Sequence, residues 1–290
     1  MAAIPRLNSI IRALEQGEIP ITTFISPPSV ETAIAVSTTA YDGVVFEAEH
    51  NPYDIKDLRD CLQYMLNRRQ ILDRGTPAPG VTPLIRIPPN GGEKSQWLAK
   101  QVLDIGAYGV VWPHISTVDE AYNAVSACRY PRPKSADAYE PEGQRGDSPV
   151  TAARYWGVTP QEYYTKADVW PLNPLGELLV IIMCEDVRAI DNLPEILRKV
   201  PGIGVVLIGE GDLSQNLGHP RQYNHPAVVE AMTAIRRICK EHNVVCGHPH
   251  VEAANAQQVI DDGYRFLVAA PTRSYPGLEA CRKLTRKTPA

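Results

Sequence analysis

Apolar residues along the chain fall into two alternating patterns. Short runs rich in Val and Ile recur at Ile21–Ser26, Tyr41–Glu49, Pro83–Pro88, Tyr108–His114, Leu178–Glu185, Ile203–Glu210, Val244–His248 and Tyr264–Ala270. Most are near-continuously hydrophobic, as expected of parallel strands buried on both faces. Between them the spacing turns helical. Leu58, Cys61, Leu62, Met65 and Leu66 fall at i, i+3, i+4, i+7 and i+8. Ile190, Leu193, Leu197 and Val200 make a second stripe, and Val228, Met232, Ile235 and Cys239 a third. Eight strands, each followed by a helical segment, over about 250 residues predict an α/β fold, a single (β/α)8 TIM barrel taking in residues 1–290. A doubly wound open sheet accommodates the same elements. Eight repeats with no domain break favour the barrel.

One connection is out of proportion. From Arg129 to Glu177 the chain runs through a Pro- and Gly-rich stretch, Pro131–Pro149, a short helical patch near Gln161–Ala167, and the segment Val169–Glu177. Residues 130–176 therefore read as an insertion after the fourth strand. A long insertion at that point is expected to be a lid over the active site rather than a plain surface loop. Gly143-Gln144-Arg145-Gly146 within it has the composition of a tight turn, with or without an anion.

Composition narrows the class. The 290 residues are 44% hydrophobic and 21% charged, which excludes disorder, collagen and coiled coil. The longest apolar run, Leu178 to Cys184, is far short of the roughly 20 residues that a membrane span needs. With 29 basic against 33 acidic side chains the formal charge is -4, which argues against nucleic-acid partners. Met1–Leu14 carries arginines and no small-residue cleavage site, so a cytoplasmic location is expected. The six cysteines, at 61, 128, 184, 239, 246 and 281, show no paired spacing and read as buried free thiols.

Chemistry in a barrel sits where the strands end. Six successive strand ends deliver ionisable residues: Glu47, Glu49 and His50; Arg86; His114; Glu185; Glu210 and Asp212; His248 and His250. Glu185 and Asp212 end consecutive strands, which lie about 4.8 Å apart. Two carboxylates so close repel unless a proton or a cation intervenes, and a hard divalent ion with open water positions is the economical solution. The alternative is that each acid merely caps the following helix. Arg86, inside an apolar strand, must meet an anion, from either the protein or a substrate. His50 is the natural proton shuttle, and Asp104 ahead of strand four is the candidate to orient it. Cys246, His248 and His250 lack a second Cys/His pair at zinc spacing, and the glycines at 202, 204, 209 and 211 form no G-x-G-x-x-G, so neither zinc nor nucleotide is supported.

At these residues the sequence resembles the class II, metal-dependent pyruvate aldolases of the HpcH/HpaI family. Tyr41-Asp42-Gly43 leading to Glu49-His50 is similar to the family's acid-x-Glu-His signature. Arg86, Leu103-Asp104-Ile105-Gly106, Asp119-Glu120-Ala121, Arg129-Tyr130-Pro131, Arg145-Gly146, Glu185, Asn192-Leu193-Pro194, Gly211-Asp212-Leu213-Ser214 and His225-Pro226 follow in order. The resemblance spans roughly residues 20 to 285. It implies Glu185 and Asp212 as ligands to Mg, Mn or Co, Arg86 and Gly211 on the 2-oxo-acid, and His50 as acid/base with Asp104 as its partner. The ion polarises the pyruvate ketone and stabilises its enolate, so no Schiff-base lysine is needed. It further implies a homo-oligomer, hexamer or trimer, with a C-terminal helix exchanged between subunits, for which Gly277–Arg286 is the candidate.

Departures from the family pattern bear on the substrate. Met183 stands where many members have a pyruvate-contacting glutamine, Glu47 replaces an aspartate, and Gly209-Glu210 replaces Gly-Pro. His114, after Trp112-Pro113, resembles macrophomate synthase, a relative that decarboxylates oxaloacetate, and is a candidate substrate contact. The expected activity is cleavage of a 4-hydroxy-2-oxo-acid into pyruvate and an aldehyde. Oxaloacetate decarboxylation, a macrophomate-synthase-like condensation, or a non-catalytic metabolite-binding barrel are the alternatives.

Overall fold

Runs of Val, Ile and Leu with no polar face are stable only when both faces are covered, and here they pair side by side, all in parallel. The computed structural model describes residues 5–89, 94 and 96–271. Its strands are β1 (Ile21–Ile25), β2 (Gly43–Glu47), β3 (Thr82–Arg86), β4 (Gly109–Trp112), β5 (Val169–Trp170), β6 (Leu178–Cys184), β7 (Val205–Ile208), β8 (Val245–His248) and β9 (Phe266–Val268). Every strand except β5 belongs to a closed ring. β4 pairs with β6, Val110 opposite Val180, and β9 returns to β1, Leu267 opposite Ile21. The eight expected strands are all present, so the barrel displaces the open sheet. β5 was not expected; it is two residues long and pairs with the start of β6 outside the ring.

Helices carry the chain back between strands, most with an apolar stripe turned inward. They are α1 (Ser9–Glu15), α2 (Val30–Ser37), α3 (Ile55–Met65), α4 (Arg68–Arg74), α5 (Gln96–Asp104), α6 (Val118–Ala127), α7 (Val150–Trp156), α8 (Pro160–Lys166), α9 (Val187–Lys199), α10 (Glu210–Asn216), α11 (Pro226–Glu241) and α12 (Ala256–Asp262). The three stripes read from spacing lie on α3, α9 and α11, where Leu58, Cys61, Leu62, Met65, Leu193, Val228, Met232, Ile235 and Cys239 are buried. Polar caps set where these helices begin. Asp54 accepts from the backbone of Lys56 and Asp57, and Asp186 from that of Ala189.

The N-terminal mouth of the barrel is plugged. α1 lies across it with Ile10 and Ile11 buried. The buried Glu177 carboxylate accepts from the backbone N–H groups of Leu7 (3.0 Å) and Asn8 (2.9 Å). Ser9 Oγ donates to the carbonyl of Asp42 at 2.6 Å. Gly43 has to be glycine for this fit, since a Cβ there would overlap Ile10.

The insertion packs at this same end, which overturns its expected place as a lid. It begins after α6 has returned the chain to the N-terminal ends of the strands, and its contacts keep it there. Trp156 stacks on Tyr108 with centroids 4.4 Å apart and donates through Nε1 to the carbonyl of Gly106 at 2.8 Å. Tyr163 Oη donates to the carbonyl of Leu103, and Arg145 pairs with Asp104. A fully buried Arg129 holds the segment together by donating to Asp168 Oδ1 (2.7 Å) and to the carbonyls of Ala138, Tyr139 and Pro141.

Five of the six cysteines are free and buried; Cys281 and the segment Gly277–Arg286 lie outside the described residues. No helix among the described residues is long and apolar enough to cross a membrane. Because Trp156 joins the insertion to the barrel through stacking and a hydrogen bond, Trp156→Ala is expected to destabilise the protein by roughly 3–5 kcal/mol. Urea denaturation checks this; a loss below about 1 kcal/mol would show that the insertion is not part of the cooperative fold.

Candidate active site

Parallel strands that close on themselves bring all their C-terminal ends to one mouth, and a cavity of about 410 Å³ opens there. Its walls include His50, Arg86, Met183, Glu185, Gly211 and Asp212 from the expected set. Phe24, Ser26, Glu47, Glu210, Arg221, Tyr223 and His250 complete the polar and aromatic lining. The carboxylates at 185 and 212 therefore share one cavity.

Glu185 follows β6 directly and is 2% exposed. One oxygen accepts the backbone N–H of His114. His114 sits at φ +55°, a left-handed conformation that costs a non-glycine residue energy, and that hydrogen bond gives a reason for it. Gly209 provides the room on the other side, since a Cβ there would overlap the Glu185 carboxylate. Burial, with the charges of Glu49 and Asp212 adding to it, pushes the Glu185 carboxyl up to about 7. Asp212 is not at a strand end as expected. β7 stops at Ile208, Gly209 caps α10, and Asp212 stands in that helix's first turn.

Arg86 ends β3 and meets the protein anions that its buried position requires. Its Nε donates to Glu47 Oε2 at 2.6 Å, a second nitrogen pairs with the same carboxylate, and a third lies 3.0 Å from Glu49 Oε2. The guanidinium sits 4.9 Å from the centre of the Phe24 ring and 3.6 Å from Met183 Sδ. Met183 thus meets Arg86 with a polarizable sulfur rather than a hydrogen-bonding amide. Gly211 leaves open space where a side chain would stand.

Two expected residues lie elsewhere in the single chain. His114 does not line the cavity; its ring faces Glu49 (Nε2 to Oε1, 3.5 Å) and Glu185 (Nδ1 to Oε1, 3.9 Å). The Glu49 carboxylate, and then Glu185, push its imidazole up to about 9 against the opposing effect of burial. Asp104 ends α5 at the opposite end of the barrel, where it pairs with Arg145 at 3.0 Å, and within one chain it does not reach His50. The carboxylate beside His50 is Glu49, 3.5 Å from Nε2. Glu49 itself was passed over as a mere neighbour of His50, although its alternation with Glu47 at the end of β2 marks both as pointing away from water.

These residues fit a hard cation. Glu185 and Asp212 face one cavity with like charge. Two carboxylates with open space beside them suit an ion that keeps several water ligands.

The sequence profile of the HpcH/HpaI aldolase/citrate lyase family matches residues 21–271. The chain belongs to that family. A 2-keto-3-deoxy-L-rhamnonate aldolase of Escherichia coli O17:K52:H18 (strain UMN026) is 35% identical over 263 residues, 90% of this chain and 85% of the relative. Among solved structures, an HpcH/HpaI aldolase/citrate lyase family protein from Burkholderia cenocepacia J2315 superposes with a TM-score of 0.74 at 26% identity, covering 96% of this chain and 98% of its own. Macrophomate synthase shares the fold, with a TM-score of 0.67 at 21% identity over 98% of this chain and 87% of its own.

Removing the cation from the Glu47–Arg86–Glu49 cluster leaves two buried acids facing each other. Arg86→Leu is therefore expected to cost roughly 3–5 kcal/mol by chemical denaturation, with part recovered when Glu47→Gln is added. Unchanged stability in the single variant would show that water already solvates these carboxylates.

Proposed function

We propose that this chain is a divalent-metal-dependent carbon–carbon lyase that cleaves a 4-hydroxy-2-oxo-acid into pyruvate and an aldehyde, and runs the condensation in reverse. The observation that carries the reading is the shared cavity of Glu185, Asp212 and Arg86 at the C-terminal mouth of a barrel of this family. The 35% identity to an aldolase acting on a 2-keto-3-deoxy sugar acid supports the same class of substrate.

Glu185 and Asp212 hold the cation, for which Mg, Mn and Co are the candidates. When bound there it supplies Lewis-acid polarisation of the substrate's 2-oxo group. The chain's own residues do the rest. Arg86 is oriented by Glu47 and steadied on Phe24, so the nitrogen near Met183 is directed at the 2-oxo-acid end of the substrate and favours developing negative charge there. His50 lines the same cavity beside Arg86 and moves the proton at the substrate C3. Glu49 takes the orienting place that Asp104 cannot fill within one chain. Small-molecule 2-oxo-acid and aldehyde are the only partners this site requires; a homo-oligomer remains part of the proposal through the family likeness.

Exchange of the pyruvate C3 protons with deuterated water, followed by NMR, tests this reading. The wild type with added Mg²⁺, Mn²⁺ or Co²⁺ is expected to exchange them and EDTA to stop it, while Glu185→Gln abolishes exchange. A Glu185→Gln variant exchanging at the wild-type rate would refute the role of this carboxylate. Gly209→Ala crowds the Glu185 carboxylate and is expected to weaken Mn²⁺ binding by about 10-fold or more in calorimetry; wild-type affinity would mean that Glu185 is not a ligand.

A further inference from the structure

The cavity has a second polar wall that the roles above leave unused. Glu210 opens α10 and is 4% exposed, an expensive place for a carboxylate without a partner. Its partner is His250, whose Nδ1 meets the carboxylate. The two are 40 residues apart and meet because β7 and β8 are neighbours in the ring, Leu207 opposite Gly247. The His250 backbone is fixed as well. Its N–H donates to His248 Nδ1 at 3.2 Å, its carbonyl accepts from Asn255 Nδ2 at 3.0 Å, and the Tyr223 ring lies 5.7 Å away.

With Nδ1–H donated to the Glu210 carboxylate, the neutral ring leaves its Nε2 lone pair free. Nε2 has no partner among the described residues, and the side chain is 60% exposed on the cavity wall. A buried carboxylate that fixes the tautomer of a half-open imidazole is the arrangement expected of a general acid/base pair. His50 is placed differently. The carboxylate beside it, Glu49, faces Nε2 and is shared with Arg86 and His114. His50 and Arg86 follow the adjacent strands β2 and β3, whereas Glu210 and His250 follow β7 and β8, on the arc that carries Asp212.

We propose that His250, positioned by Glu210, carries the proton of the substrate's C4 hydroxyl in the aldol step. The proposal rests on the aldolase reading above and assigns its second proton transfer. In the cleavage direction Nε2 takes the hydroxyl proton, and the O–H electron pair becomes the π bond of the aldehyde carbonyl. The C3–C4 bond breaks, its pair becomes the C2–C3 double bond of the enolate, and the C2 oxygen takes the negative charge. The aldehyde leaves. His250 returns its proton to water and C3 gains one in turn, giving pyruvate with no proton or electron left over.

The test separates the two proton transfers in the full chain supplied with Mg²⁺. His250→Ala, its folding checked by circular dichroism, is expected to lose cleavage at least about tenfold more than pyruvate C3 exchange. Its kcat for cleaving a panel of short 4-hydroxy-2-oxo-acids, with pyruvate release read by a coupled assay, is expected to fall by about 100-fold or more, and added imidazole to restore part of it. Glu210→Gln is expected to lower kcat with little change in KM. Cleavage by His250→Ala within about threefold of wild type overturns the assignment. A parallel loss of exchange and cleavage without imidazole rescue does so too, as does a wild type that exchanges protons but cleaves no member of the panel. A wild type that exchanges no protons with Mg²⁺, Mn²⁺ or Co²⁺ overturns the aldolase reading itself.

Discussion

Glu47, Glu49, Glu185 and Glu210 are all withdrawn from water at one mouth of the barrel, and each must be matched by positive charge or by a donor. That constraint organises the site. Glu47 and Glu49 are matched by Arg86, Glu210 by His250, and Glu185 by only one backbone N–H and a histidine ring that also serves Glu49. Asp212 faces the same cavity with no compensating cation of its own in the lining except exposed Arg221. The charge balance is therefore nearly closed everywhere but at Glu185 and Asp212. A site left acidic there, inside a low-dielectric wall, draws a divalent cation more strongly than a fully paired one does.

The two ends of the barrel divide the work. At the N-terminal end, polar groups are spent on one another: Glu177 on the start of α1, Arg129 on Asp168 and three carbonyls, Arg145 on Asp104. Those pairs are closed and tie the insertion and α1 to the ring. At the C-terminal end the pairs are left with a free edge, as at Arg86 and His250. Conservation of charge within each cluster thus separates stabilising acids from reactive ones more cleanly than burial does, since Glu177 and Glu185 are equally buried.

Much of this was legible in the sequence because strands buried on both faces write continuous apolar runs, and because closure sends every strand end to one face. Those two facts place Arg86 and Glu185 at a common mouth, which Asp212 joins from the first turn of α10. Strand ends were less legible. The run Ile203–Glu210 overshoots because Gly209 and Glu210 already belong to α10, and β5 is too short to leave a pattern. The insertion was misplaced because α6, which ends at Ala127, carries the chain to the other mouth before the Pro-rich stretch begins. Asp104 was misread for a similar reason: Leu103-Asp104-Ile105-Gly106 ends a helix at the far end, and its partner Arg145 is 41 residues away. Glu210 and His250 are separated by nearly the same distance along the chain, so only the register of β7 against β8 reveals them.

The replacement of Gly-Pro by Gly209-Glu210 acquires a physical meaning from that register. A proline at this place in α10 would fit the first turn, where its missing N–H is not needed. A glutamate there fits equally well, since an acid is favoured at a helix N-terminus, but it adds a buried charge that a proline would not. Such a charge is tolerable only with a partner, and the chain supplies one at His250, where the same cavity receives the unpaired face of the ring. The departure at Glu210 is thus made tolerable by His250. A carboxylate introduced for helix stability alone would have remained at the surface, as Glu162 does at the start of α8.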